Sequence, residues 1–271
     1  MPSSPDPLSP NPAPPRPTFI RRLRWHWRML MRLVRHNPLA TLLGFLLLNL
    51  LGIKRVFRLV VRGEAVWLRS ATPDYDVAVH SLGGEFNTLI AGLSPDASGL
   101  IIDGGGYIGT VAMRFARAFP NCRILTLEPS SENLALLRRN LAHLGNVTII
   151  PKAIAGRSGS APLFDVGNRE WGYSLLAWRH SDHHILETVE TTTIAELIDG
   201  AGFARAFVVK LDIEGAERDL LLDPGPWLGR TDVLVMELHE RLVPGTMDAY
   251  AAATAQRRNW KLEGEKHVSM A

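Results

Sequence analysis

A mostly parallel α/β sheet is the fold class this sequence predicts, and three observations predict it. Beyond Ser94, short apolar runs alternate with amphipathic stretches of helical period. The first of those runs ends in a glycine-rich turn, IIDGGGYIGT at residues 101–110, where a strand would pass into a helix. The next run ends on an acid, Glu128, where a strand edge meets a ligand in folds of this kind.

The elements follow from the amino terminus onward. Residues 1–17 hold eight prolines and no apolar period, which reads as a disordered or polyproline-like tail. Residues 18–54 form a basic and apolar arm, in which arginines interleave with Trp25, Trp27 and Leu30 before the run PLATLLGFLLLNLLGI, residues 38–53. Those sixteen residues would span about 24 Å as a helix, short of the roughly 30 Å of a bilayer's hydrocarbon core. Three readings stay open: a helix packed on the domain, an interfacial helix held by arginines on an anionic leaflet, and a true span.

Residues 55–93 lead into the core. Val56–Val61 and Ala65–Arg69 read as a hairpin turning at Arg62-Gly63-Glu64, and Asp74–Leu93 as loop and helix. Residues 94–271 form the main domain. Its strands are expected at Leu100–Asp103, Arg123–Glu128, Val147–Pro151, Phe207–Asp212 and Val233–Leu238. Its helices are expected at Ile108–Phe119, Ser131–His143, Ala216–Leu222 and Met247–Arg258, with a closing hairpin over Trp260–Ala271.

Composition narrows the function. With 271 residues, 46% of them apolar, the chain can bury one large core and is not globally disordered. A single cysteine, Cys122, excludes an internal disulfide framework and a cysteine-based zinc site. That suits a reducing compartment, and no stretch reads as a cleavable signal, so a cytoplasmic location is expected. Residues 1–62 carry eleven bases and one acid, a charge of +10, against −7 for the remainder. A nucleic-acid enzyme would more often set positive charge around its cleft, so no nucleic acid is expected. The basic arm instead suggests an anionic membrane surface met through residues 18–62, with the protein peripheral to the inner face.

The glycine loop alone fits a nicotinamide dinucleotide and S-adenosylmethionine equally well. Two features favour the second. Asp103, directly before the glycines, would repel a pyrophosphate but suits a cationic amino group. The stretch VVKLDIEGAE, residues 208–217, places Lys210, Asp212, Glu214 and Glu217 at the end of a later strand, where hydride transfer assigns them no part. A nucleotide-dependent oxidoreductase and a non-catalytic membrane-associated scaffold are the rival readings.

The segments IDGGGYIGTVAMRFA, LTLEPSSENLALLRRN, IIPKAIAGRSG, VVKLDIEGAE and VLVMELHE occur in this order. Over about residues 80–240 the sequence resembles the FkbM family of S-adenosylmethionine-dependent methyltransferases. The resemblance implies a class I methyltransferase (Rossmann-like) fold, with seven strands and the last antiparallel. It also implies methylation, usually on oxygen, of hydroxyls on small molecules, sugars or glycan- and lipid-linked substrates. The chain departs from the family at Gly106-Tyr107, where Ala-Asn is common.

The candidate site residues fall into three groups. Asp103, Gly104, Gly105, Gly109, Glu128 and Ala153 are expected to hold the cofactor, with Glu128 accepting from ribose hydroxyls and Ala153 lining the family's adenine pocket. Asp212, Lys210, Glu214 and His239 are the catalytic candidates, His239 as general base because imidazole titrates near neutrality. Trp171 and Tyr173, aromatic residues in an irregular stretch, and Glu237, beside His239, are expected at the substrate. Asp212, Glu214, Glu237 and His239 could ligate a metal, but their spacing is not diagnostic and none is assigned.

Overall fold

The computed structural model describes residues 34–165, 169–177, 184–262 and 266–271. The Pro-rich stretch, the arm up to Leu33, Trp178 and His183 lie outside them. The main sheet has seven strands. In chain order they are β3 (Gly99–Gly104), β4 (Cys122–Leu127), β5 (Val147–Ile150), β9 (Ala206–Leu211), β10 (Thr231–Glu237), β11 (Arg258–Lys261) and β12 (Lys266–Met270). In space they run β5-β4-β3-β9-β10-β12-β11. All neighbours are parallel from β5 to β10, and β12 enters antiparallel between β10 and β11. The strand order reverses beside β3, so the carboxyl ends of β3 and β9 flank the crevice where open α/β sheets place their ligands.

The central strands are buried along their length, as parallel strands covered on both faces must be. One core packs Ile102, Leu125, Val209 and Leu234 on one face, and a second packs Ile101, Phe115, Ile124 and Val235 on the other. Helices α4 (Thr110–Ala118) and α5 (Ser131–Leu141) follow β3 and β4, and Ser130 caps α5 by accepting from the Asn133 N–H.

The structure departs from expectation in three places. Residues read as turn and irregular loop form a second sheet, with β8 (His184–Thr192) between β6 (Ala153–Ile154) and β7 (Gly159–Asp165). A helix, α6 (Ile194–Gly200), starts on a capping box of Thr193 and Glu196. The helix expected at Met247–Arg258 is α8 (Thr246–Ala253). It stops short because Arg257 turns inward to donate to the carbonyls of Thr231, Asp232 and Ser269, and strand β11 begins directly after it.

The extension holds α1 (Leu39–Leu50), a hairpin of β1 (Val56–Val61) and β2 (Glu64–Arg69), α2 (Asp74–Ser81) and α3 (Asn87–Ala91). Arg62 and Gly63 both take positive φ, +56° and +92°, as a tight hairpin turn of this hand requires. Between β2 and α5, the Asn140 amide pairs with both backbone groups of Trp67. Among the described residues no helix is long and apolar enough to cross a membrane.

Candidate functional site

Strands β3 and β9 pair so that Asp103 lies directly beside Lys210. That register decides both roles. The Lys210 ammonium is only 2% exposed. It donates to the carbonyls of Gly104 (3.0 Å) and Gly105 (2.9 Å) and sits 3.2 Å from Asp103 Oδ1. Asp103 is wholly buried and also accepts from the Thr126 hydroxyl at 2.9 Å. Asp103 thus serves as counter-ion to Lys210, and Lys210 holds the glycine loop while also lining the larger cavity described below.

Gly104 is buried within the sheet, and the loop approaches open space at Gly105 (φ +77°). A Cβ there would lie 1.9 Å from the Asp212 carbonyl, so only glycine lets the two loops meet. Gly109 (φ +88°) caps α4 and packs on Leu141, a structural part rather than a contact surface.

Glu128 stands at the tip of β4. One carboxylate oxygen accepts from the Tyr107 N–H (2.9 Å), the other from the Ser130 N–H (2.9 Å) and, more weakly, from the Asn133 amide (3.4 Å). Burial pushes its pKa up to about 7 against those hydrogen bonds. Glu128, Ala153, Ile154 and Gly105 line a narrow cleft whose far wall is Asp212, Glu214 and Tyr173. Tyr173, expected at the substrate, lines this cleft together with Glu128 and Ala153.

A second, larger cavity of about 700 Å³ opens beside it, lined by Tyr107, Trp171, Asp212, Glu237, Lys266 and extension residues that include His80 and Glu85. Trp171 is 55% exposed at this cavity. Gly105 and Asp212 belong to both spaces.

Beyond the ends of β9 and β10 the charged groups converge on His239. Its Nδ1 pairs with Glu217 Oε1 at 2.9 Å. Its Nε2 faces Glu214 (3.6 Å), Asp212 (3.8 Å) and Glu237 (3.9 Å). Glu217 is buried and fixed by the N–H groups of Ile213 and Gly215, so it orients the ring. Burial works to lower the imidazole's affinity for its proton, but Glu217, Glu214 and Asp212 override it and raise the group to about 9. Those carboxylates favour the protonated ring, which weighs against His239 as a resting general base. Burial and the Asp212 charge raise Glu214 to about 8. Burial also opposes ionisation of Asp212, yet Lys266 and Lys210 hold it at about 2. Ligand atoms of Asp212, Glu214 and His239 lie within 4.8 Å of one another, a set that could hold a hard divalent cation.

The sequence reading missed two groups. Lys266, on β12, bridges Glu237 (2.5 Å), Glu85 (2.9 Å) and Asp212 (3.6 Å). Asp74, at the start of α2, accepts from the Arg69 guanidinium twice at 2.9 Å and from the Tyr107 hydroxyl. Lys266 and its partners are far apart in sequence, and Asp74, though only five residues from Arg69, gave no signal beyond its acidic character.

The strand order, the glycine turn and the acid at the tip of β4 together define a class I methyltransferase fold. The sequence matches the Methyltransferase FkbM domain over residues 103–251. The chain belongs to that family of methyltransferases. Among curated proteins it is similar to the 2-O-methyltransferase NoeI of Sinorhizobium fredii, 24% identical over 156 residues. That alignment covers 52% of this chain and 64% of the relative, so the chain spans less than two thirds of the relative's length. Among solved structures it is similar to a precorrin-6y C5,15-methyltransferase from Geobacter metallireducens, with TM-score 0.41, 12% identity and coverage of 68% of this chain and 87% of that one. It is also similar to an rRNA methylase from Streptococcus thermophilus, with TM-score 0.39, 10% identity and coverage of 68% and 90%.

The fold class implies S-adenosylmethionine as methyl donor, and the residues present fit it. The cleft offers a buried carboxylate to ribose hydroxyls, apolar Ala153 and Ile154 to a base, and backbone at Gly105 that a Cβ would obstruct.

Proposed function

We propose that this protein moves a methyl group from S-adenosylmethionine to a hydroxyl oxygen of a sugar, glycan or similar small molecule. One observation carries the reading: Gly105 and Asp212 form a wall common to the narrow cleft and to the 700 Å³ cavity. A donor in the first space and an acceptor in the second meet there. The 2-O-methyltransferase relative supports oxygen as the acceptor atom.

The residues divide the work. Glu128 keeps lone pairs free for ribose hydroxyls after accepting from Tyr107 and Ser130. Bound S-adenosylmethionine supplies a methyl carbon on a positively charged sulfur. Asp212, ionised and at the shared wall, accepts the hydrogen bond of the substrate hydroxyl and aims an oxygen lone pair at that carbon. Its low basicity means the proton leaves as the carbon–oxygen bond forms, passing through Asp212 to solvent. His239 and Lys266 hold Asp212, Glu214 and Glu237 in place around the shared wall. Catalysis then rests mainly on position and a preformed field.

Calorimetric titration of the full chain with S-adenosylmethionine and with NAD tests the donor, and mass spectrometry of incubated hydroxyl compounds tests transfer. Binding of the first and a gain of one methyl group on oxygen are expected. Preference for NAD would overturn the reading, and binding without product from a broad acceptor panel would leave a scaffold.

A further inference from the structure

Helix α1 has two apolar faces, and the fold uses one of them. Leu42 and Phe45 are buried against the hairpin and α2, where Phe45 meets the rings of Phe57 and Tyr75. Asn49 ties the helix end down by accepting from the Ala71 N–H, and Asn37 pairs with both backbone groups of Val60. The helix therefore has a fixed orientation on the domain. Its other face carries Leu39, Leu43, Leu46, Leu47 and Leu50 at helical spacing, all more than half exposed and Leu50 84% so. Leu51 and Ile53 extend the patch past the helix end. A soluble surface rarely leaves so many large apolar side chains contiguous and wet.

The stretch of sequence that holds this helix is basic. No acid occurs between Asp6 and Glu64, while eleven bases do. Arg35, Arg55 and Arg58 are exposed and make no ion pair among the described residues. A second copy would bring the same basic stretch, +10 over residues 1–62, against this one, so self-association is disfavoured. Twelve helical residues reach only about 18 Å, too short to cross a bilayer but suited to lie along one. An apolar stripe bordered by unpaired arginines matches the boundary between acyl chains and anionic headgroups.

We propose that the exposed face of α1 and its basic flanks seat this protein on the surface of an anionic lipid bilayer. The leucines enter the acyl boundary while Arg55 meets the headgroups.

The test is flotation of the full chain with vesicles of phosphatidylcholine alone and of phosphatidylcholine mixed with phosphatidylglycerol. The full chain should float with the mixed vesicles, float less with the neutral ones, and be partly released by salt. Leu43→Glu/Leu47→Glu should weaken partition by at least about tenfold, and Arg35→Glu/Arg55→Glu should reduce the preference for phosphatidylglycerol. Both variants alter exposed side chains only, so unchanged melting and unchanged S-adenosylmethionine binding would show that the fold is intact. Failure of the full chain to float would overturn the proposal. So would sedimentation as a dimer that Leu43→Glu/Leu47→Glu dissolves, because the face would then be an interface between copies.

Discussion

Replacing Asp74 by alanine should be among the most destabilising changes in the molecule. Asp74 is wholly buried and accepts from the Arg69 backbone N–H (2.7 Å), from Arg69 Nε and a terminal nitrogen (both 2.9 Å), and from the Tyr107 hydroxyl. Asp74→Ala strands a guanidinium that is 3% exposed. Removing one partner of a buried ion pair costs about 3–5 kcal/mol, because the other charge stays desolvated. Arg69 would keep Glu132 at 3.1 Å and the Asn133 carbonyl at 2.9 Å, and Glu132 is 42% exposed. That residual support puts the expected loss near the lower bound, about 3 kcal/mol. At about 2–4 °C per kcal/mol for a chain of this size, melting followed by circular dichroism should fall by about 6–12 °C.

The stranded charge can be told from lost packing. Arg69→Met/Asp74→Leu/Tyr107→Phe removes every member of the triad and should recover most of the loss, since apolar replacement of a buried pair is often near neutral. A loss below about 1 kcal/mol in the single variant, the size of one ordinary hydrogen bond, would refute the reasoning. A triple variant as unstable as the single one would show that shape rather than charge is at stake.

Glu128→Ala should weaken S-adenosylmethionine binding by about 2–4 kcal/mol in titration calorimetry, through two lost charge-assisted hydrogen bonds. With the carboxylate raised to about 7 in the free protein, affinity should fall as pH drops below that value, by up to about tenfold per unit, since binding selects the ionised form. Asp212→Asn keeps shape but removes charge at the shared wall, so turnover should drop much more than cofactor affinity, and equal losses would make Asp212 merely structural. His239, raised from 6.5 to about 9 in the folded protein, contributes stability that is full below 6.5 and lost as pH rises through 9. Glu214, raised from 4.5 to about 8, acts in the same direction, so melting temperature should decline across this range and His239→Gln should flatten the decline above pH 6.5.

Where the sequence was informative, it was so through local pattern. The central strands are continuous apolar runs because both faces are covered, and the helices after β3 and β4 carry their own start signals at Gly109 and Ser130. Glu128, Asp212 and His239 could be placed because ligand-binding residues in such sheets gather at carboxyl ends. The direction of a side chain at a strand tip was not legible. Asp103 and Lys210 each read alone as ligand contacts, yet their register across β3 and β9 makes them a buried pair. Equally hidden was β7, whose strand character depends on antiparallel pairing with β8 across a long loop.

Tyr107 shows how far the site extends beyond the matched domain. In the family's loop an asparagine is common there, a residue that tolerates the left-handed backbone observed at φ +50°. A tyrosine in that conformation needs compensation, and the extension provides it. The phenol donates to Asp74, and the Arg69 guanidinium lies 5.6 Å from its ring. The backbone N–H of the same residue meets Glu128, so the contact that orients this carboxylate depends on a side chain anchored 33 residues upstream. Lys266 repeats the pattern from the other end of the chain, joining Glu85 of the extension to Asp212 and Glu237. A boundary near residue 94 divides the sequence but not the site. A chain cut there would leave Tyr107 without Asp74 and Lys266 without Glu85, unmaking one wall of the larger cavity while every residue of the glycine loop remained.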